Sequence, residues 1–304
     1  MKLEYTISDK DNNKILKDIV RNKNNISARL FNKLKLNHHI YINNSIAYAN
    51  DVVKEGDKIT IDLDYEEDDL IAPEKGEINI LYEDEWYLAI SKKANMVVHP
   101  SVYHQSGTLS NFVKYYFNTS GCINKKIRPV NRLDNGTSGI VLFAKNELAQ
   151  ERFKYITPKP IKKYISICMG LFDKKEGILS FPIARKEGSI IERCVDFEKG
   201  QSAITKYKVT DEFSYGGNNY SIVEIILETG RTHQIRVHMA YIGHPLVGDT
   251  LYNSYDKKEV NKVFLRQALH AYELSFIHPF NNKNVSIIAP IEEDILNLIK
   301  LKNI

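Results

Sequence analysis

Asp134 stands directly before Asn135-Gly136, a dipeptide that favours a tight turn, and an apolar run from Ile140 to Phe143 follows. An aspartate on a turn that feeds a strand has its carboxylate aimed off a rigid scaffold, where it can serve as a base or a nucleophile. Arg132, two residues earlier, can lie on the same side. By itself the tetrad Asn131-Arg132-Leu133-Asp134 reads first as a surface Asx turn. A second cluster, Gly230-Arg231-Thr232-His233-Gln234-Ile235-Arg236-Val237-His238, places two guanidinium forks around Gln234, suited to a carboxylate or a phosphate. His233 and His238 are five apart, which does not fit a helical metal pair, and HExxH is absent, so the histidines are expected to hydrogen-bond or pack. A third piece, Lys162-Lys163-Tyr164, leads into an apolar strand pattern; a strand tyrosine alone is ordinary filler.

These residues need elements to hold them. Segments 78–82, 87–91, 139–144, 164–169, 203–210, 221–228 and 285–289 are rich in Ile, Val and Tyr and read as strands. Helices are expected at 109–117, 147–156 and 236–242. Strands outnumber helices without alternating strictly with them. This predicts an α+β fold with a mixed, largely antiparallel central sheet and flanking helices. Upstream, apolar positions spaced by three or four over 14–36 predict two helices, broken near residues 22–25, with Ser27 near the second start. A short strand at 40–42, a turn at Gly56-Asp57 and a strand at 59–63 complete a small unit. The domain plan is 1–65, an acidic linker at 66–77, and 78–304.

The two basic helices carry Lys14, Lys17, Arg21, Lys23, Arg29, Lys33 and Lys35 against one acid, Asp18, a local excess of six positive charges in a chain whose formal net charge is only +4. Such a stretch is either a solvated helix face or a phosphate-contacting surface. The acidic 66–77 stretch would repel a polyanion and is expected outside any such surface. Three cysteines, widely separated and without CxxC spacing, argue against a disulfide framework or thiolate zinc site. The N-terminus lacks an apolar leader core, and no apolar run reaches membrane-spanning length, so a cytoplasmic protein is expected.

Together the pieces resemble the RluA-type family of pseudouridine synthases over roughly residues 78–291. Asn131-Arg132-Leu133-Asp134-x-x-Thr137-Ser138-Gly139 is similar to the catalytic motif, with Asn131 where many members carry His. Lys162-x-Tyr164 is similar to the tyrosine motif. The 230–238 segment, then Ile242-Gly243-His244-Pro245-Leu246-x-Gly248-Asp249-x-x-Tyr252, is similar to the third. Leu269-His270-Ala271-x-x-Leu274-x-Phe276-x-His278-Pro279 and Val97-Val98-His99-Pro100 complete the order, although Lys92-Lys93-Ala94-Asn95-Met96 departs from the usual Lys-Pro-x-Gly-Met. Asn95 tolerates positive φ, so a turn there survives. The N-terminal unit resembles an S4-type RNA-binding module more loosely; Lys14-Ile15-Leu16-Lys17 replaces the usual Arg-Leu-Asp opening.

The resemblance implies the pseudouridine synthase fold and an RNA uridine isomerase. Asp134, Tyr164 and Arg236 would be catalytic. Arg132, Asn131, Arg231, His233 and Gln234 would bind substrate, and Lys14, Lys17, Arg21, Arg29, Lys33 and Lys35 would contact RNA. No cofactor or metal is implied. The substrate would be ribosomal RNA of the large subunit, with transfer RNA as the alternative, and the chain would act as a monomer away from membranes. Asp134 would attack C1′ or take a proton from C2′, and sequence leaves both open. Three other readings are weaker. A non-catalytic RNA binder predicts broken motifs. A carboxylate hydrolase normally needs a second acid or a metal beside Asp134. A zinc enzyme needs other ligand spacing.

Overall fold

The computed structural model describes residues 1–102, 104–122, 125–253 and 264–303. Four short strands, β1 (Lys2–Thr6), β2 (Ile40–Ile42), β3 (Ser45–Ile46) and β4 (Lys58–Asp62), form an N-terminal antiparallel sheet in the order β1-β4-β2-β3. Helices α1 (Leu16–Asn24) and α2 (Ala28–Leu36) pack on it. The break falls where expected. Asn25 adopts a left-handed φ of 50°, and the Ser27 hydroxyl caps α2 by accepting from the Leu30 amide at 3.1 Å. β1 was not anticipated, because its alternation is read from only Leu3 and Tyr5.

The second sheet positions the chemistry. Its strands are β5 (Asn79–Glu83), β6 (Tyr87–Lys92), β7 (Arg128–Pro129), β8 (Ser138–Ala144), β9 (Ile161–Met169), β10 (Glu176–Leu179), β13 (Thr205–Tyr215), β14 (Asn218–Leu227), β15 (Leu269–Ile277) and β16 (Asn284–Ile288); β11 (Ile183–Arg185) and β12 (Arg193–Val195) form a separate hairpin. The path runs β10-β13-β14-β9-β15-β8-β6-β5, with β16 beside β15 and β7 beside β8. Among the described strands only β15 and β8 pair in parallel, at His270 with Ser138 and Ala271 with Gly139. The sheet is therefore mixed and largely antiparallel, as the sequence indicates. β15 was not expected as a strand. His270 and Glu273 interrupt its apolar run, yet His270 is buried because its Nδ1 meets the Ser138 hydroxyl at 2.8 Å. β9 begins at Ile161, so Tyr164 lies within the strand and does not open it.

Strand alternation splits the core into two faces. Tyr87, Ala89, Ile140 and Leu142 join α4 (Glu147–Lys154) through Leu148 and Phe153, and this cluster continues into the N-terminal unit. Leu88, Ile90, Val141 and Phe143 point the other way, against α3 (Leu109–Thr119) and α5 (Gln234–Tyr241). The C-terminal α6 (Glu293–Lys300) was also unanticipated; it buries Ile295 and Leu298 against Ile167 and Val247. None of the described helices is long and apolar enough to cross a membrane.

Residues 66–77 carry no regular structure, in keeping with a connecting segment, but they do not hang free. Glu67 accepts two hydrogen bonds from Arg128, at 2.7 and 2.6 Å, and one from Lys33 at 2.7 Å. Asp69 accepts from the Ile127 amide at 2.9 Å. The stretch is tied down to α2 and to the start of β7.

Candidate active site

Asp134 lies in the loop between β7 and β8, and the amide of Thr137 donates to its carbonyl at 3.0 Å, closing the expected turn. The turn is held from beneath by two cations. Lys92, at the end of β6, is fully buried and its Nζ donates to the carbonyls of Lys93, Met96 and Asn135 at 3.0, 2.8 and 3.1 Å. Burial pushes this amine down to about 7. Arg266 donates to the Gly136 carbonyl at 2.9 Å and is itself anchored on Asp294 at 2.7 Å. Gly139 has a φ of 111°, and a Cβ there would overlap the Ala271 carbonyl of β15, so glycine is required for that close strand approach. Asn95 has the positive φ, 58°, that its place in the departing motif calls for.

Arg236 reaches Asp134 from the first turn of α5. Its Nη1 is 3.3 Å from Asp134 Oδ2, while Nε and Nη2 grip both oxygens of Asp249 at 2.7 and 2.8 Å. Asp249 is 2% exposed and also accepts from the amides of Leu251 and Tyr252. The guanidinium is thus clamped on one side and offers its remaining edge to Asp134. Gly248, at φ 71°, makes this possible, since a side chain there would overlap the Arg266 carbonyl. The Tyr252 ring lies 5.0 Å from the Arg236 guanidinium, and its hydroxyl pairs with His233 Nδ1 at 2.8 Å. His233 Nε2 stands 3.8 Å from Asp134 Oδ2, and burial lowers the imidazole's pKa despite the nearby carboxylate. Asp249, Tyr252, Lys92 and Arg266 were given no role from sequence. Asp249, Tyr252 and Lys92 sat inside quoted motifs, which was their only signal; Arg266 sat in none.

Asp134, Arg236, Tyr164 and His233 line one cavity of about 270 Å³, with Lys162, Leu227 and Leu269 in its wall. Tyr164 is 7% exposed; burial, reinforced by the Asp134 charge, raises its phenol well above the usual range. Arg132 also lines the cavity, is exposed, and has no ion-pair partner among the described residues. Arg231 is exposed and donates to the Ser202 carbonyl at 3.0 Å. Asn131 and Gln234, expected to bind substrate, also line the cavity, and both hold backbone as well. Asn131 splices its loop onto β8, donating to Ile140 O and accepting from the Leu142 amide. Gln234 donates to Ile204 O and Thr205 Oγ1 and accepts from the Arg231 amide and Thr229 hydroxyl, which fills all its hydrogen-bonding positions. The Val97–Pro100 motif lies outside the cavity, with His99 beside Ser110.

The basic residues of the N-terminal unit divide. Lys14 pairs with Asp11 at 2.8 Å, Lys17 is exposed, and Arg21 and Lys35 are half-buried. Lys33, expected to contact RNA, is half-buried. It bridges Glu67 and Glu147 at 2.7 and 3.0 Å, because that face of α2 packs toward α4. Arg29 pairs with Glu147 at 2.5 Å but stays exposed.

Residues 86–241 match the family described as RNA pseudouridylate synthase. An RNA pseudouridine synthase of Bacillus subtilis, YhcT, is 36% identical over 302 residues, covering 98% of this chain and 96% of its own. A Ribosomal large subunit pseudouridine synthase D from Blochmanniella floridana is 39% identical, covering 76% of this chain and 74% of its own. Among solved structures, Human RNA Pseudouridylate Synthase Domain Containing 1 is 25% identical, with a TM-score of 0.57 over 71% of this chain and 86% of its own. The chain belongs to the RluA-type RNA pseudouridine synthase family. Its reaction breaks the C1′–N1 bond of a uridine in RNA and rejoins the base to C1′ through C5, with loss of the C5 proton and gain of one at N1.

Proposed function

We propose that the chain converts uridines of large-subunit ribosomal RNA to pseudouridine, acting as a cytoplasmic monomer. The observation that carries the chemistry is the clamp of Asp249 on Arg236, with Asp134 on its free edge and Tyr164 in the same cavity. Asp134 is the reacting carboxylate, Arg236 fixes its direction, and Tyr164 stacks on the uracil. The target must leave its stack to enter, and the unpaired Arg132 at the cavity is placed to fill the gap or grip the backbone. The choice of ribosomal over transfer RNA rests on the names of the relatives, and the cytoplasm is where that RNA is assembled. Comparing pseudouridine maps of ribosomal and transfer RNA from a deletion strain and its parent tests the substrate. Sites lost only from transfer RNA would overturn it.

Tyr164→Phe separates ring from hydroxyl. RNA affinity should persist while turnover falls by about 10²–10⁴-fold, the scale of a lost proton-transfer group. Full turnover would confine Tyr164 to stacking. A phenol raised by burial stays protonated through neutral pH, so its part in the C5 step is exchange through a partner and not standing basicity.

Residues 1–65 act in this reading as an S4-like RNA-binding domain, with 66–77 as its strap to the catalytic domain, 78–304. Lys17 and Lys35 carry no carboxylate partner among the described residues. The double variant Lys17→Ala/Lys35→Ala should reduce the slope of log affinity against log salt by up to about two. An unchanged slope would remove this face from the RNA surface.

A further inference from the structure

A second hollow, of about 770 Å³, adjoins the active-site cavity, and Val130, Lys162 and Leu227 line both. It runs from there past Lys159 and the end of α4 to Arg29 of the N-terminal unit. Its cations are Arg29, Lys154, Lys159 and Lys162. Its carboxylates are Glu151 and Glu228, and both are already engaged. Glu151 accepts from the Ser27 hydroxyl at 2.7 Å, and Glu228 pairs with Lys206 at 2.5 Å. Lys154, Lys159 and Lys162 have no carboxylate partner among the described residues. Burial, with a smaller contribution from the neighbouring Lys159 charge, lowers the pKa of the Lys162 amine, and an anion in the hollow would offset both. Tyr155, beside these cations, is 72% exposed, and the Lys154 amine lies 5.2 Å from the centre of its ring.

We infer that this hollow is a second RNA groove, which takes a single-stranded segment next to the target uridine and leads it from the active site to the N-terminal unit. The combination fits that occupant. Unpaired lysines suit a phosphate backbone, and an exposed aromatic among them is the stacking platform of sequence-tolerant strand binding. Continuity through Lys162 means that a nucleotide in the cavity and its neighbours in the groove belong to one strand. A duplex would not offer Tyr155 an unstacked base. The inference rests on the proposed RNA activity and extends it to substrate recognition.

The test uses the full chain and transcripts of large-subunit ribosomal RNA and of transfer RNA that carry 4-thiouridine at random positions. Photocrosslinked peptides are identified by mass spectrometry. Crosslinks are expected within residues 154–162. In parallel, the surface variant Tyr155→Ala/Lys159→Ala should lower affinity about tenfold, the scale of one lost base stack, and reduce the salt slope by about one. Crosslinks confined to other segments on both RNAs, or parental affinity and slope in the variant, would overturn the groove. Failure of the underlying activity reads differently: the parent protein would release no tritium from 5-labelled uridine in either RNA, whatever it crosslinks.

Discussion

Asp134→Asn is expected to abolish tritium release from RNA labelled at C5 of uridine while leaving RNA affinity equal to or tighter than that of the parent. The substitution keeps the side chain's shape. It also keeps the backbone bond from the Thr137 amide that closes the turn, and it leaves Lys92 and Arg266 holding the carbonyls beneath. What disappears is a negative charge 3.3 Å from Arg236. Removing a carboxylate from a site that must accept a phosphate-flanked nucleotide lessens repulsion, so binding should not weaken. The size of the effect separates the two chemical roles. Loss of a general base at C2′ costs about 10²–10⁴-fold, whereas loss of a nucleophile at C1′ removes the route itself and leaves only the residue of positioning and electrostatics. Turnover within tenfold of the parent would remove Asp134 from the reaction.

Much of this site was legible because its chemistry is written in short, contiguous strings. Asp134 before Asn135-Gly136, and Arg231 to Arg236 beside glycine, announce a turn and an anion-binding fork without any structure. The strand and helix positions around them followed from apolar period. Other features were not legible because they depend on what the chain meets far away. Gln234 was read as a substrate ligand by type and neighbours; it does line the cavity, but only the fold reveals that Ile204, Thr205, Thr229 and Arg231 hold its amide. Lys33 looked like one more surface cation, yet Glu147, 114 positions on, and Glu67 turn it inward. The acidic strap was read only as repelling RNA. Its Glu67 nevertheless serves as a buried partner for Arg128, a pairing that composition cannot reveal. β15 was missed for a related reason: a central strand with a buried histidine has no clean alternation, because Ser138 on the neighbouring strand makes the histidine acceptable there.

Asp249 carries the second large effect, and it acts through Arg236 without touching the substrate. Arg236 is 8% exposed and Asp249 2%, and two short bonds join them. Asp249→Ala leaves a buried guanidinium with a single bond to Asp134, and strands the amides of Leu251 and Tyr252 that Asp249 accepts. Breaking a buried pair from one side costs about 3–5 kcal/mol, which should appear as a lower urea midpoint with unchanged slope. Released from its clamp, Arg236 can rotate, and turnover should fall about 10²-fold as Asp134 loses its fixed direction. A double variant separates the two consequences. Asp249→Ala/Arg236→Met removes both buried charges, so most of the lost stability should return, while turnover stays low because nothing orients Asp134. Recovery of turnover together with stability would mean that Asp249 and Arg236 serve the fold alone. A single variant Asp249→Ala within about 0.5 kcal/mol of the parent, the range of ordinary surface changes, would show that the clamp contributes little even to that.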